Sequence, residues 1–346
     1  MRPAEPELTI RRALPEDRQP ILDLVSLCLG PGSVPRTPAF WDWKHARNPF
    51  GPSPILVAEA DGRLVGLRAF LRWRWRSGEA EVPAVRAVDT ATHPDWRGRG
   101  VFSRLTRRLL SEMAEEGAAF VFTTPNRASG AGYRKMGWSA VGRAPALVRP
   151  LKLRDAIRRW AGRGDSGPGR EGPDLLRFPA ASDLLAWPAL DELLESPDAV
   201  APDPRYRTRL DRRYLEWRYG AVPGLDYRAL WRDEGGPPAA VIFRGRMRGR
   251  LREVVVAEVL APPGEAGERA GRELLRRLAQ TAAADHVVAV ASPGTPERRA
   301  LRRAGFVPLP LVGPRLVVRT LAPEPSPADP RRASSWRLSA GALEIF

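Results

Sequence analysis

The sequence predicts an α/β fold built as two tandem copies of one unit, each a mixed, mostly antiparallel sheet flanked by helices. Three observations carry this. Strand-like alternation and helix-like periodicity intermix through the first 142 residues instead of segregating into separate blocks. A stretch from Arg159 to Asp174 (RWAGRGDSGPGREGPD) nearly lacks apolar residues and reads as a linker. Features of the first half then return in the second, in the same order.

Each element has its own signal. Glu7–Ala13 alternate as a strand, and a helical stretch from Glu16 to Leu29 ends where prolines 31, 35 and 38 begin. A short helix over 40–46 leads through Asn48-Pro49 and Gly51-Pro52 to a strand at 55–60. Asp61-Gly62 then marks a hairpin. The next strand, 64–76, ends in Arg72-Trp73-Arg74-Trp75-Arg76, which places both tryptophans on one face. A strand through 88–92 precedes a helix at 100–116, an apolar strand at 118–123 and a helix at 128–136. Gly137 stops that helix, and a strand over 138–142 follows. Phe40, Trp41, Trp43, Trp73 and Trp75 read as core.

In the second half, Phe40-Trp41-Asp42-Trp43-Lys44 is echoed by Tyr214-Leu215-Glu216-Trp217-Arg218. Pro125-Asn126 finds Pro293-Gly294, and Lys135-Met136-Gly137-Trp138 finds Arg303-Ala304-Gly305-Phe306. Matching order is the mark of a repeat. The organisation predicted is a first unit at 1–150, a linker at 151–175, a second unit at 176–321, and a Pro-rich tail at 322–346. The apolar residues of that tail, from Trp336 onward, should dock.

Composition bounds the function classes. The chain has 346 residues, 43% of them apolar and 28% charged, enough to build packed cores. No apolar run is long enough for a spanning helix, and the first residues lack the apolar region of a signal peptide. A cytoplasmic protein is expected, with no membrane insertion. One cysteine, Cys28, and three histidines exclude an internal disulfide and a Cys/His zinc cluster. The net charge is +16, yet only Lys44, Lys135 and Lys152 among the 56 basic residues are lysines. Arginines spread along the whole chain point to compositional bias, so nucleic acid is not the expected partner.

Two stretches carry chemistry. In Asp89-Thr90-Ala91-Thr92-His93-Pro94-Asp95-Trp96-Arg97-Gly98-Arg99-Gly100-Val101-Phe102-Ser103, a strand ends, a turn holds two glycines, and an amphipathic helix begins. Glycines let backbone approach an anion, and the N–H groups of the first helical turn point at it. With Arg97 and Arg99 beside it, the turn is built as a pyrophosphate cradle. It is neither a P-loop nor GxGxxG. The second stretch runs from Asn126 through Ser129 and Tyr133 to Gly137-Trp138. Cys28, in an apolar helix with no histidine placed near it, is not a candidate nucleophile.

Together the two stretches resemble the GNAT superfamily of acyl-CoA-dependent N-acyltransferases. Its motif Gln/Arg-x-x-Gly-x-Gly/Ala is met by Arg97 and Gly100, with Phe102 as a departure at the last position. Its Asn-x-x-Ala-x-x-x-Tyr-x-Lys-x-Gly-Phe is met by Asn126, Tyr133, Lys135 and Gly137, with Ser129 and Trp138 substituted. The resemblance covers residues 7–145 closely and 205–320 as topology. It implies tandem GNAT folds with a splayed strand pair holding acetyl-CoA as cosubstrate, without metal. Thr90, Ala91 and Thr92, the turn from Arg97 to Ser103, and Asn126, Ser129 and Tyr133 would contact it.

The implied reaction is direct attack of a primary amine on the thioester, the acceptor being a small molecule, amino sugar, antibiotic or peptide. Such a reaction needs an acid for the thiolate, a donor for the oxyanion and a base for the ammonium. Tyr133 is the expected acid. For the base three candidates stay open: Asp89, His93, which shares a strand face with it by spacing, and the C-terminal carboxylate after Glu344-Ile345-Phe346. That last group enters the site in two-domain relatives of the intracellular-survival type. The Arg-Trp repeat has a second reading as a wall of the acceptor cleft.

In the second half, aligning Arg272–Leu278 with Ser103–Leu109 puts Arg269 at Gly100 and Ala266 at Arg97. Leu301 stands for Tyr133 and Gly294 for Asn126. The expectation is a degenerate unit that supports the first, closes the cleft or forms a homodimer. Two alternatives remain: a Fem-type transferase using aminoacyl-tRNA, and a non-catalytic acyl-CoA sensor or nucleic-acid-binding protein.

Overall fold

The computed structural model describes residues 7–29, 35–152, 172–195, 203–220, 222–322 and 328–343. Its first half runs β1 (Thr9–Arg12), α1 (Arg18–Leu29), α2 (Pro38–His45), β2 (Ile55–Ala60), β3 (Arg63–Ser77), β4 (Ala80–Thr92), α3 (Val101–Glu115), β5 (Phe120–Thr123), α4 (Arg127–Lys135), β6 (Ser139–Arg143) and β7 (Ala146–Pro150). The second runs α5 (Ala181–Leu184), α6 (Leu190–Glu195), β8 (Arg207–Thr208), α7 (Arg212–Leu215), β9 (Tyr227–Trp231), β10 (Ala240–Arg248), β11 (Leu251–Leu260), α8 (Glu265–Thr281), β12 (His286–Val290), α9 (Pro296–Arg303), β13 (Val307–Pro308) and β14 (Arg315–Thr320).

Local chemistry sets these boundaries. Asp61 and Gly62 both have positive φ, as the tight β2–β3 turn requires. Thr37 accepts from the Phe40 N–H and Pro38 opens the helix, fixing the start of α2. Gly137, at φ +79°, ends α4.

Two mixed sheets result, with strand orders β1-β2-β3-β4-β5-β14-β6 and β13-β7-β12-β11-β10-β9; β8 pairs with β3 at the side. They do not divide at residue 150. β7 of the first half lies in the second sheet, antiparallel to β12, while β14 of the second half lies between β5 and β6. The end of the predicted linker also packs: Leu175 is buried in the second core, whereas residues 153–171 fall outside the described ones.

The amphipathic α3 lays Val101, Leu105, Leu109 and Met113 on one face of the first sheet, against Leu56, Phe70, Val85 and Val121. α1 covers Val57, Leu67 and Ala91 on the other face. Between the sheets lies an aromatic core holding Trp43, Trp73, Trp75, Tyr206, Tyr214, Trp217 and Trp336. The tryptophans of the Arg-Trp repeat are thus core, as their alternation predicted. The tail docks there too, with Trp336, Leu338 and Leu343 buried.

Both long hairpins carry a bulge at the same place. Arg68 pairs with Thr90 and Ala69 with Val88, leaving Asp89 as the extra residue; Ile242 pairs with Glu258 and Phe243 with Val256, leaving Ala257. The second helix start differs from the sequence alignment, which placed Arg269 at Gly100. The Pro262-Pro263-Gly264 turn lets α8 begin earlier, and its N-cap is Gly264, at φ +98°. Likewise the cap function of Asn126 passes to Thr295, which accepts from the Arg298 N–H, and not to Gly294.

Candidate functional site

The site begins where the first sheet parts. β4 and β5 run parallel only from Ala84–Phe120 to Arg86–Phe122, while β4 stays paired with β3 as far as Thr92. Thr123 Oγ1 donates to the Ala87 carbonyl at 2.8 Å where the strands separate. Thr90, Ala91 and Thr92 therefore lie on a strand whose β5-facing edge is open.

The strand leads into an exposed turn. Gly98 and Gly100 adopt φ +79° and +74°, and a Cβ added at either would meet nothing within 4 Å. Gly100 is the N-cap of α3 without a side-chain cap, and the first intrahelical bond is from the Arg104 N–H to the Gly100 carbonyl. The N–H groups of Val101, Phe102 and Ser103 thus have no helical partner, and the helix dipole adds to their pull on an anion. Arg97 and Arg99 are exposed beside them, Arg99 stacked over Trp96.

Phe102, the departure from the family motif, turns its ring inward. It packs edge-on against Tyr133 at 5.7 Å and fills the space over Gly132, where a Cβ would lie 3.0 Å from the ring. Tyr133 is buried, and its hydroxyl accepts a 2.8 Å hydrogen bond from Arg68 Nη2. With Asn126, Gly130 and Trp138 it lines a cleft of about 1090 Å³ that Pro308 and residues 310–317 also border. Asn126 caps α4 with its side chain, whose Oδ1 accepts from both the Ser129 N–H and the Ser129 hydroxyl.

The candidate bases part company. The bulge turns Asp89 toward α2, where Oδ2 lies 3.0 Å from Lys44 Nζ and 2.8 Å from His45 Nε2. Burial alone would raise this carboxyl, but Lys44 and His45 outweigh it and hold the group well below the usual carboxylate range. His93 instead caps the Pro94–Trp96 turn, accepting from the Asp95 N–H at 3.3 Å. The shared strand face counted from spacing is lost because a bulge shifts alternation by one residue. The C-terminal residues 344–346 lie outside the described ones. The Cys28 thiol donates to the Thr92 carbonyl at 3.2 Å, a packing role.

Sequence reasoning missed Arg68, Lys44 and His45. Arg68 had a signal: it interrupts the apolar run Leu64-Val65-Gly66-Leu67, and charged residues are rarely placed in a buried strand without cause. The Lys44-His45 pair at the end of an aromatic helix had none until the bulge brought Asp89 to it.

In the second half α8 carries Glu265 and Glu268 in its first turn, acids that oppose anion binding. Glu268 is paired with Arg299 and Arg303. Leu301, buried in the second core, has no hydroxyl to offer.

Residues 9–141 match the family model for the acetyltransferase (GNAT) domain. Among solved structures, a GCN5-related N-acetyltransferase from Anabaena variabilis superposes over 91% of this chain and 73% of its own, at 14% identity and TM-score 0.61. One from Kribbella flavida gives 91%, 71%, 16% and 0.59, and Eis1 from Mycobacterium abscessus gives 91%, 74%, 16% and 0.52. At such identities these likenesses establish the fold alone. A search of curated proteins returns no match. No helix among the described residues is long and apolar enough to cross a membrane. The open strand edge and the uncapped helix start both lie within residues 9–141, the stretch that matches the acetyltransferase (GNAT) domain.

Proposed function

We propose that the protein is an acetyl-CoA-dependent N-acetyltransferase that acts on a primary amine through its first half, the second half being a degenerate GNAT-like unit. The observation that carries this is the parting of β4 from β5 directly before the uncapped start of α3. An extended thioester arm can pair with the open edge at Thr90–Thr92 while its pyrophosphate meets the N–H groups of Val101, Phe102 and Ser103. Gly98 and Gly100 leave room for it, and Arg97 and Arg99 add charge.

The amine attacks the thioester carbonyl directly, and Tyr133 protonates the departing thiolate. A phenol can pass its proton to a thiolate held in contact with it. Asp89 is held by Lys44 and His45 of α2, while the Tyr133 hydroxyl is held by Arg68. A carboxylate held so far down by Lys44 and His45 is a weak base, and it is suited to holding the acceptor's ammonium rather than stripping it. His93, used as a turn cap, is assigned no chemical role.

Calorimetric titration with acetyl-CoA, read for stoichiometry, tests the reading. One site per chain, abolished by Gly100→Val, is expected. Two sites would return the second half to service, and no binding would remove acetyl-CoA as the donor.

A further inference from the structure

Arg68 is completely buried on β3, and no carboxylate neutralises it among the described residues. Its guanidinium sits within 5.0 to 5.5 Å of the ring centres of Phe70, Tyr133 and Phe102. Nη2 donates to the Tyr133 hydroxyl, while Nε and Nη1 have no hydrogen-bond partner among the described residues. A desolvated cation with so little compensation weakens a fold relative to an apolar side chain of similar volume. Stability therefore does not explain why it is there.

Its geometry does. A guanidinium only donates hydrogen bonds and does not lose its proton. Toward Arg68, then, the Tyr133 oxygen can only accept, and the phenol's own proton must point elsewhere. The cleft lined by Tyr133 is open to it.

We propose that Arg68 is the positioning residue of the acid step. It fixes the direction of the Tyr133 O–H bond and holds the negative charge left on the phenol oxygen. This rests on the reading of Tyr133 as the acid. As the amine nitrogen bonds to the carbonyl carbon, the C–S bond breaks and its electron pair goes to sulfur. The Tyr133 O–H proton passes to that sulfur, leaving phenolate beside Nη2. The proton lost by the acceptor nitrogen restores the phenol through solvent. Phe102 gains a reason as well: at the last position of the phosphate motif, its ring closes the cage over Arg68 and keeps water from screening the pair.

The test measures thiol release from acetyl-CoA with a simple alkylamine in excess. Tyr133→Phe is expected to lower kcat about 100-fold. Arg68→Met should lower it about 30-fold, with KM for acetyl-CoA within about twofold and a melting temperature equal to or above that of the parent. Arg68→Lys, which keeps the charge, should recover most of the loss. The double variant Tyr133→Phe/Arg68→Met should match Tyr133→Phe alone, since Arg68 acts through the phenol. Full kcat in Arg68→Met with low kcat in Tyr133→Phe would overturn the role of Arg68 and leave that of Tyr133 standing. Additive losses in the double variant would overturn it too. Full kcat in Tyr133→Phe would instead overturn the acid reading itself. Should Arg68→Met not fold, Arg68→Gln keeps a donor without charge; about tenfold loss is expected there, and none would overturn the proposal.

Discussion

The indole nitrogens of Trp43 and Trp217 each donate to the other residue's backbone carbonyl, at 2.6 and 2.8 Å, across rings stacked 5.1 Å apart. Reciprocal contacts of this kind are what a two-fold relation between equivalent elements generates. The two residues are 174 apart in sequence, and the same interval separates Arg68 from Ile242 at the paired bulges. This pair joins the two halves of the chain.

Replacing Trp43 or Trp217 by Phe removes one buried donor and the hydrogen bond it makes across the pair. Each is expected to cost about 1–3 kcal/mol. The double variant should cost clearly less than the sum, because the two bonds share one contact. Urea unfolding of the three variants measures this, and strict additivity would contradict the coupling.

Gly100 stands at φ +74° with open space where a side chain would begin. Gly100→Val should therefore cost about 1–2 kcal/mol of stability through backbone strain alone. Its larger effect falls on the anion site: acetyl-CoA affinity should drop at least about tenfold as the Val101–Ser103 N–H groups are displaced. Calorimetry separates this from unfolding. Retained affinity would remove the turn from the binding site.

Leu301 takes the place of Tyr133 in the second half and is buried in an apolar core. Leu301→Ala is expected to destabilise by about 2–5 kcal/mol. At a temperature where the variant is folded, its kcat and KM should equal those of the parent. A change in either constant would show that the second half takes part in turnover.

Glu258 lies at the second bulge with its carboxyl accepting from the Tyr219 and Ser339 hydroxyls. Burial pushes its pKa up to about 7, from an ordinary 4.5. The folded state therefore holds a proton that the unfolded chain has lost. The penalty for burying this acid is absent below about pH 4.5, grows as pH rises through 7, and levels off on the order of 3 kcal/mol. Glu258→Gln should flatten that part of the stability curve. Melting temperatures between pH 5 and 8 that fall in parallel for both proteins would assign the loss to other groups.

Much of this was legible in residues with strong local signals. The Asp61-Gly62 turn, the Gly98/Gly100 turn and the Gly137 stop each leave few backbone alternatives, and the helices and strands between them follow. The Phe40–Lys44 echo was readable because a repeat preserves order. Three things were not. The bulge at Asp89 adds one residue without any compositional mark, so alternation counted from Asp89 to His93 misassigned their relation. The salt-bridged cluster of Lys44, His45 and Asp89 exists only once that bulge turns the carboxylate toward α2. The start of α8 was misaligned because its helical periodicity continues past the position that matched Gly100.

The exchange of β7 and β14 has a consequence for how the chain is made. A ribosome delivers β5 and β6 early, but the strand that belongs between them, Arg315–Thr320, is made only after β7 to β13. Until β14 emerges the nascent first half holds two unsatisfied strand edges around an empty seat, the kind of surface that seeks other chains. β7 meanwhile waits for β12. Neither half can be completed vectorially, one after the other. Emergence of β14, rather than of the first half alone, is the event that permits the first sheet to close.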